Sequence, residues 1–276
     1  MRFRWWLWPN VLSLDAPLVA VLWDLLFAQA FHARVSSAAV ATLGLWVWVI
    51  YASDRVLDSF APLVKVEPTR HQFYRRYRIE MAPIIAVGAI TALWLTFAQL
   101  RFRLLLYGLP LGLLMAGYFA IVHLGPRWLN ERWPKELAVA VLFGIGTLLP
   151  VAANLPNRAV LAPAAIPFGA ILWINIVAID RWETESLTSR GAMANVMRRF
   201  CLSNYLVACS AIVTLAAIAL ILADYGSGAD AVYLAIALSA ILLGTLASLR
   251  GRFSGDALRV LADAALLSPL CFLWLR

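Results

Sequence analysis

Acidic residues are scarce in this chain, with 15 Asp and Glu among 276 residues, and charged residues of both signs make up only 14%. A soluble domain is about 25% charged and 45–50% apolar. Here 63% of residues are hydrophobic and the mean hydropathy is +0.81, which excludes an ordinary soluble domain. The net charge of +8 is not gathered on one wet face but falls between apolar runs. That pattern speaks for membrane topology and against nucleic acid as a partner. The three cysteines, Cys201, Cys209 and Cys271, lie inside apolar runs and do not form a disulfide framework. No glycine-rich nucleotide loop and no nucleophile triad is present. Histidine is rare, and His71 and His123 have no partner at metal-ligand spacing, which argues against zinc. Pro and Gly are scattered, so no linker is visible and residues 1–276 read as a single integral membrane domain. Arg2 and Arg4 precede an apolar run, as in a signal peptide. No small-residue cleavage site follows, and the run continues through Asp15 and Asp24, so the start reads as mature sequence with an interfacial Trp belt.

What is abundant is apolar runs of membrane-spanning length. A spanning helix needs about 20 mostly apolar residues. Nine candidates occur, at 12–31, 35–53, 81–98, 102–122, 136–153, 159–179, 201–223, 231–248 and 256–274. The expected fold is all-α and polytopic, with cytoplasmic loops at 54–80 and 180–200. If the N-terminus is cytoplasmic, 18 of the 23 Lys and Arg fall on the inner side and 5 on the outer. The positive-inside rule therefore predicts an N-in arrangement.

Two acid clusters end two of these runs. Asp54 and Asp58 are four residues apart, so a helix puts them on one face about 5–6 Å apart. Asp180 and Glu183 are three apart and share a face likewise, with Glu185 round the side. Each cluster has an Arg after its first acid, Arg55 and Arg181. One reading is neutralisation at the membrane surface by Arg55 and the basic loop. The other is a divalent metal, since Mg²⁺ takes one or two carboxylates together with waters and substrate phosphates. After the first cluster comes a basic loop. Arg75, Arg76 and Arg78 read as juxtamembrane charge that meets lipid head groups. Lys65 and Arg70 lie nearer the acids and are candidate phosphate ligands.

Other polar residues fall inside apolar runs. Asp24 is a functional candidate by default, with pairing to Arg34 or His32 as the structural alternative. Asp15, near the inner end, is placed to reach a polar mouth. Asp256, Arg259 and Asp263 follow one helical stripe and read as a self-neutralising cluster that docks the last helix, or else as the lining of an acceptor entrance. Asn175 lies within reach of the second acid cluster or caps a neighbouring helix.

Residues Ile50-Tyr51-Ala52-Ser53-Asp54-Arg55-Val56-Leu57-Asp58, the loop element Thr69-Arg70-His71, Asp180, and Pro134-Lys135-Glu136 entering a helix together resemble the UbiA superfamily of intramembrane prenyltransferases. That family has nine transmembrane helices and two Asp-rich motifs on the cytoplasmic side. Ile50 and Tyr51 stand where its leading Asn-Asp pair lies, and Thr184 stands where its second motif carries an acid. Glu183 or Glu185 is the substitute. The architecture matches over most of the chain and the motifs over about 30 residues.

The resemblance implies a mechanism. Mg²⁺ on Asp54, Asp58, Asp180 and Glu183 would bridge an isoprenyl diphosphate, with Asp54, Asp58 and Asp180 as the catalytic acids. Arg70, Lys65, Lys135 and Arg181 would take the remaining phosphate charge. A lipophilic acceptor, aromatic or otherwise, would capture the carbocation, and Tyr51, Tyr118, Trp173 and Asn175 are the candidate pocket residues. The implied location is a bacterial inner membrane with the site facing the cytoplasm and membrane lipids as surroundings. Two other classes remain open from sequence: a catalytically inactive scaffold or assembly factor of the same architecture, and a transporter using Asp15 and Asp24 as a relay.

Overall fold

The computed structural model describes residues 5–60, 69–125, 134–187, 192–224 and 228–274; within these, the side chains of Thr69, His71, 184–187 and 192–202 are not described. All regular structure among the described residues is helical. The helices are α1 (Trp8–Val11), α2 (Asp15–Ala30), α3 (Ser37–Asp58), α4 (Thr69–Gln99), α5 (Phe102–Leu124), α6 (Lys135–Asn154), α7 (Ala162–Leu187), α8 (Ala192–Ala223), α9 (Asp230–Leu249) and α10 (Gly255–Ala265). Seven stretches are long and apolar enough to cross a membrane, and the bent pair Trp5–Val11 and Asp15–Ala30, angled at 76°, makes an eighth if it is one span.

The last expected span, 256–274, is not continuous. It forms the 11-residue α10, then a 3-10 turn at Ser268–Cys271. Eleven helical residues rise about 16 Å, half of the roughly 30 Å of a bilayer core. Such a helix ends with open carbonyls that water cannot reach. The neighbours supply the donors. Ser239 Oγ donates to the Ala265 carbonyl at 2.8 Å, and Trp23 Nε1 donates to the Leu266 carbonyl at 2.8 Å. Pro269 then prevents continuation of the helix.

The two segments expected as loops are largely helical where described. α3 carries the first acids to its last turn at Asp58, and α7 runs through the second acids to Leu187. α4 starts at Thr69 and breaks at Tyr77, where φ is −109° and ψ 22°. The part before the break tucks under the bundle, with Phe73 and Tyr74 buried among Leu7, Val11, Val49 and Ala52. The part beyond it exposes Ile84, Val87, Ile90, Trp94 and Phe97, a face suited to lipid rather than water. Lys65 lies outside the described residues, as do the side chains of Thr69, His71, Thr184 and Glu185.

The main core gathers α2, α6, α7, α8, α9 and α10. α9 lies deepest and packs on α8, α7 and α10 through Ala235, Ala240, Gly244 and Ala247. Small residues let helix backbones approach where lipid supplies no hydrophobic drive. α4 packs on α3 and α5 packs on α6, as flanks of this core. The α1–α2 corner turns at Ser13, whose φ of +55° is rare for a residue other than glycine. Its hydroxyl is held 3.2 Å from the Tyr74 hydroxyl.

Candidate functional site

One end of the bundle collects titratable side chains from seven helices, α2 to α7 and α10. Asp54 and Asp58 sit one turn apart on α3, as the spacing predicts, and Arg55 lies between them with Nη1 3.8 Å from Asp54 and 3.9 Å from Asp58. Partial exposure of both acids, 30% and 37%, leaves their oxygens open to a ligand. The third member is His123 in the last turn of α5, whose Nε2 is 3.2 Å from Asp54 Oδ1. Asp54, Asp58 and His123 can offer ligand atoms that all lie within 4.8 Å of one another. That corrects the reading of His123 as a residue without a metal-ligand partner. Its partner is 69 residues away, so no local spacing reveals it. The available signal was topological, because α3 and α5 both end at this side.

The second cluster divides. Glu183 Oε2 accepts from Arg70 Nη2 at 3.1 Å, and Glu183 Oε1 accepts from Arg259 Nη1. Both oxygens of this expected metal ligand are thus engaged by guanidinium groups, and Arg70, expected on a diphosphate, is engaged by Glu183. Arg70 is 6% exposed and Arg259 12%, and a charge so buried requires a counter-charge. Asp180 lies within electrostatic reach of Glu136, Arg181 and Lys135. Lys135, at the start of α6, also reaches Asp58, while Arg55 reaches Glu183 as well as its own two acids. The two acid motifs therefore meet around Arg55 and Lys135.

A third cluster was not anticipated in this form. Asn10 Nδ2 donates to Asp15 Oδ2 at 2.5 Å and to Asp263 Oδ2 at 3.1 Å. Asp15 and Asp263 are also hydrogen-bonded to each other. Burial, then the Asp15 charge, push the Asp263 carboxyl well above the ordinary carboxylate range. Within the stripe Asp256, Arg259, Asp263 the Arg259 and Asp263 charges favour each other, and the stripe also docks on its neighbours, Arg259 on Glu183 of α7 and Asp263 on Asn10 of α1. Between these elements lies a cavity of about 50 Å³ walled by Asn10, Asp15, Tyr51, Arg70, Arg259 and Asp263, with Arg55 and Phe143 beside them. A water needs roughly 10–15 Å³ of such space, so the cavity suits a few waters or one small group, not an isoprenyl chain.

The candidate pocket residues separate. Tyr51 lines the cavity and packs edge-on against Phe143 at 6.2 Å. Tyr118 lies within electrostatic reach of Asp54 and Asp58 and packs edge-on against Phe119 at 6.1 Å. Trp173 instead packs edge-on against Tyr205 of α8 at 6.4 Å and does not line the cavity. Asn175 is buried, and its Nδ2 has no hydrogen-bond partner among the described residues. Asp24 is fully buried, and neither of its oxygens has a partner among the described residues, so the expected pairing with Arg34 or His32 does not form.

The donor set at Asp54, Asp58 and His123, two carboxylates and an imidazole with Asp180 across Lys135, fits a divalent cation that keeps positions for waters and phosphate oxygens. No protein-family model, no curated protein and no solved structure matches the chain.

Proposed function

We propose that this integral membrane protein transfers a prenyl group from an isoprenyl diphosphate to a lipophilic acceptor, with Mg²⁺ at the acid end of the bundle. The reading rests on the meeting of the two acid motifs around Arg55 and Lys135, which gives them a common mouth. It also rests on the resemblance of those motifs to the UbiA superfamily.

In this reading Asp54, Asp58 and His123 would hold the metal, with Asp180 as a further carboxylate ligand on the metal side of the diphosphate. The bound cation would supply positive charge where the diphosphate departs. Lys135 and Arg181 add fixed cationic groups at the same place. The allylic C–O bond breaks with its electron pair on the diphosphate, and the acceptor then forms the new bond to the prenyl carbon and loses a proton. Tyr118, within electrostatic reach of Asp54 and Asp58, is the aromatic ring placed to favour a carbocation there. The isoprenyl chain lies outside the small cavity, along the apolar helix faces. The deciding assay is Mg²⁺-dependent release of diphosphate from farnesyl or geranylgeranyl diphosphate by the purified protein.

The same reading puts the acid end in the cytoplasm, because most of the basic residues lie there. Gly251, with open space around it, follows α9 at this end. A Gly251→Cys variant in cells is expected to react with a membrane-impermeant maleimide only after the cytoplasmic side is opened. Labelling of intact cells would reverse the orientation.

A second reading, an inactive scaffold of the same architecture, is favoured by one observation. Arg70 and Glu183, both expected to serve the ligand, bind each other. Wild-type protein that neither binds nor cleaves isoprenyl diphosphates would establish it.

A further inference from the structure

The cavity beside the acid motifs has a chemistry of its own. On one wall is Arg70, 6% exposed, whose Nε and Nη1 are buried with no hydrogen-bond partner among the described residues. Arg259 is also in the wall, and its Nε is likewise without one. Buried donors left unmade are costly, and guanidinium donors are suited to oxyanions. Another part of the wall is the Asp15–Asp263 pair, held by Asn10. Carboxylate oxygens carry lone pairs beyond the bonds they already make, so this wall accepts hydrogen bonds and repels a fully deprotonated anion. A ligand must therefore present acceptors to the arginines and a hydroxyl to the acids. A space of about 50 Å³ fits a group of phosphate size.

We propose that this cavity binds a small oxyanion that retains an O–H, hydrogen phosphate being the simplest, with Arg70 and Arg259 donating to its oxygens and the Asp15–Asp263 pair accepting from its hydroxyl. The site needs neither a metal nor an isoprenoid, and it adjoins the Asp54, Asp58, His123 cluster through Arg55, which lines the cavity and is ion-paired to Asp54 and Asp58. Sulfate is the discriminating comparison: at neutral pH it has the same shape and no O–H. Dimethyl phosphate, which resembles a lipid phosphodiester, lacks the O–H as well.

Titration calorimetry on the full-length protein in detergent with EDTA tests this. Inorganic phosphate is expected to bind saturably, and sulfate and dimethyl phosphate to bind about tenfold more weakly or worse. Arg70→Gln is expected to weaken phosphate by roughly tenfold or more, while Trp173→Phe, at a residue that packs on Tyr205 away from the cavity, leaves it unchanged. Should Arg70→Gln fail to fold, Asp263→Asn serves, because its amide can donate and is expected to erase the preference for phosphate over sulfate. The proposal is overturned if phosphate does not saturate, if sulfate binds as well as phosphate, or if a folded Arg70→Gln variant binds phosphate as the wild type does. Prenyl transfer could fail with the phosphate site intact, and the reverse, so the two results are independent.

Discussion

Asp54→Ala is expected to lower Mg²⁺-dependent release of diphosphate by about 10²-fold or more, with little loss of stability. Asp54 faces three groups at once: Arg55 on its own helix, His123 from α5 and, one turn on, Asp58. Removing it leaves one carboxylate and one imidazole, too few to hold a divalent ion in water against its hydration. Arg55, 12% exposed, keeps Asp58 as its counter-charge in the variant, so the fold should survive. Asp180→Ala is expected to reduce release as well, since it lies on the other side of Lys135. The check is single-turnover diphosphate release at several Mg²⁺ concentrations beside a thermal melt. A rate unchanged by Asp54→Ala would remove the first acid motif from the chemistry.

Glu183→Ala should act in the opposite sense, on stability before activity. Its carboxylate is shared by Arg70 and Arg259, which are 6% and 12% exposed. Breaking a buried pair by removing one partner costs about 3–5 kcal/mol, because the remaining charge stays buried. Glu183 itself is 26% exposed, so some water can replace it, and about 2–4 kcal/mol is the expected loss. Replacing all three members by Met is expected to recover most of that loss, since it removes the stranded charges rather than their partner. Unfolding in mixed detergent micelles measures both effects. If Glu183→Ala is as stable as the wild type, the ion pairs do not hold α4, α7 and α10 together.

The contrast between these residues shows how far the sequence could be read. Apolar length placed α5, α6 and α9 to within two residues, because a bilayer admits few kinds of segment, but it ended α3 five residues before Asp58. It misread 69–80 and 180–187 as loops, because charged residues at the rim of a bundle can stay helical when their faces find buried partners. Phe73 and Tyr74 found them under α1 and α3. It also misread 256–274 as a span. Hydropathy does not distinguish a continuous helix from one whose open carbonyls are met by Ser239 and Trp23, residues far away in sequence.

At the site, helical spacing placed Asp54 with Asp58 on one face. It could not assign partners across the bundle, such as Arg70 with Glu183 at a separation of 113 residues. Lone intramembrane charges were the better guide. Asp15, read as reaching a polar mouth, and Arg259 and Asp263, read as a docking stripe or the lining of an entrance, all wall the same cavity, while Asp24, the default functional candidate, does not.

The most direct test of a shared metal–diphosphate site is pulsed electron paramagnetic resonance of Mn²⁺ bound to the protein with a non-cleavable farnesyl thiodiphosphate. The account predicts phosphorus coupling from the diphosphate together with nitrogen coupling from the His123 imidazole. The nitrogen signal should vanish in His123→Ala, and both should vanish in Asp54→Ala. Mn²⁺ that shows no phosphorus coupling in the wild type, or that binds equally well without Asp54, would contradict it.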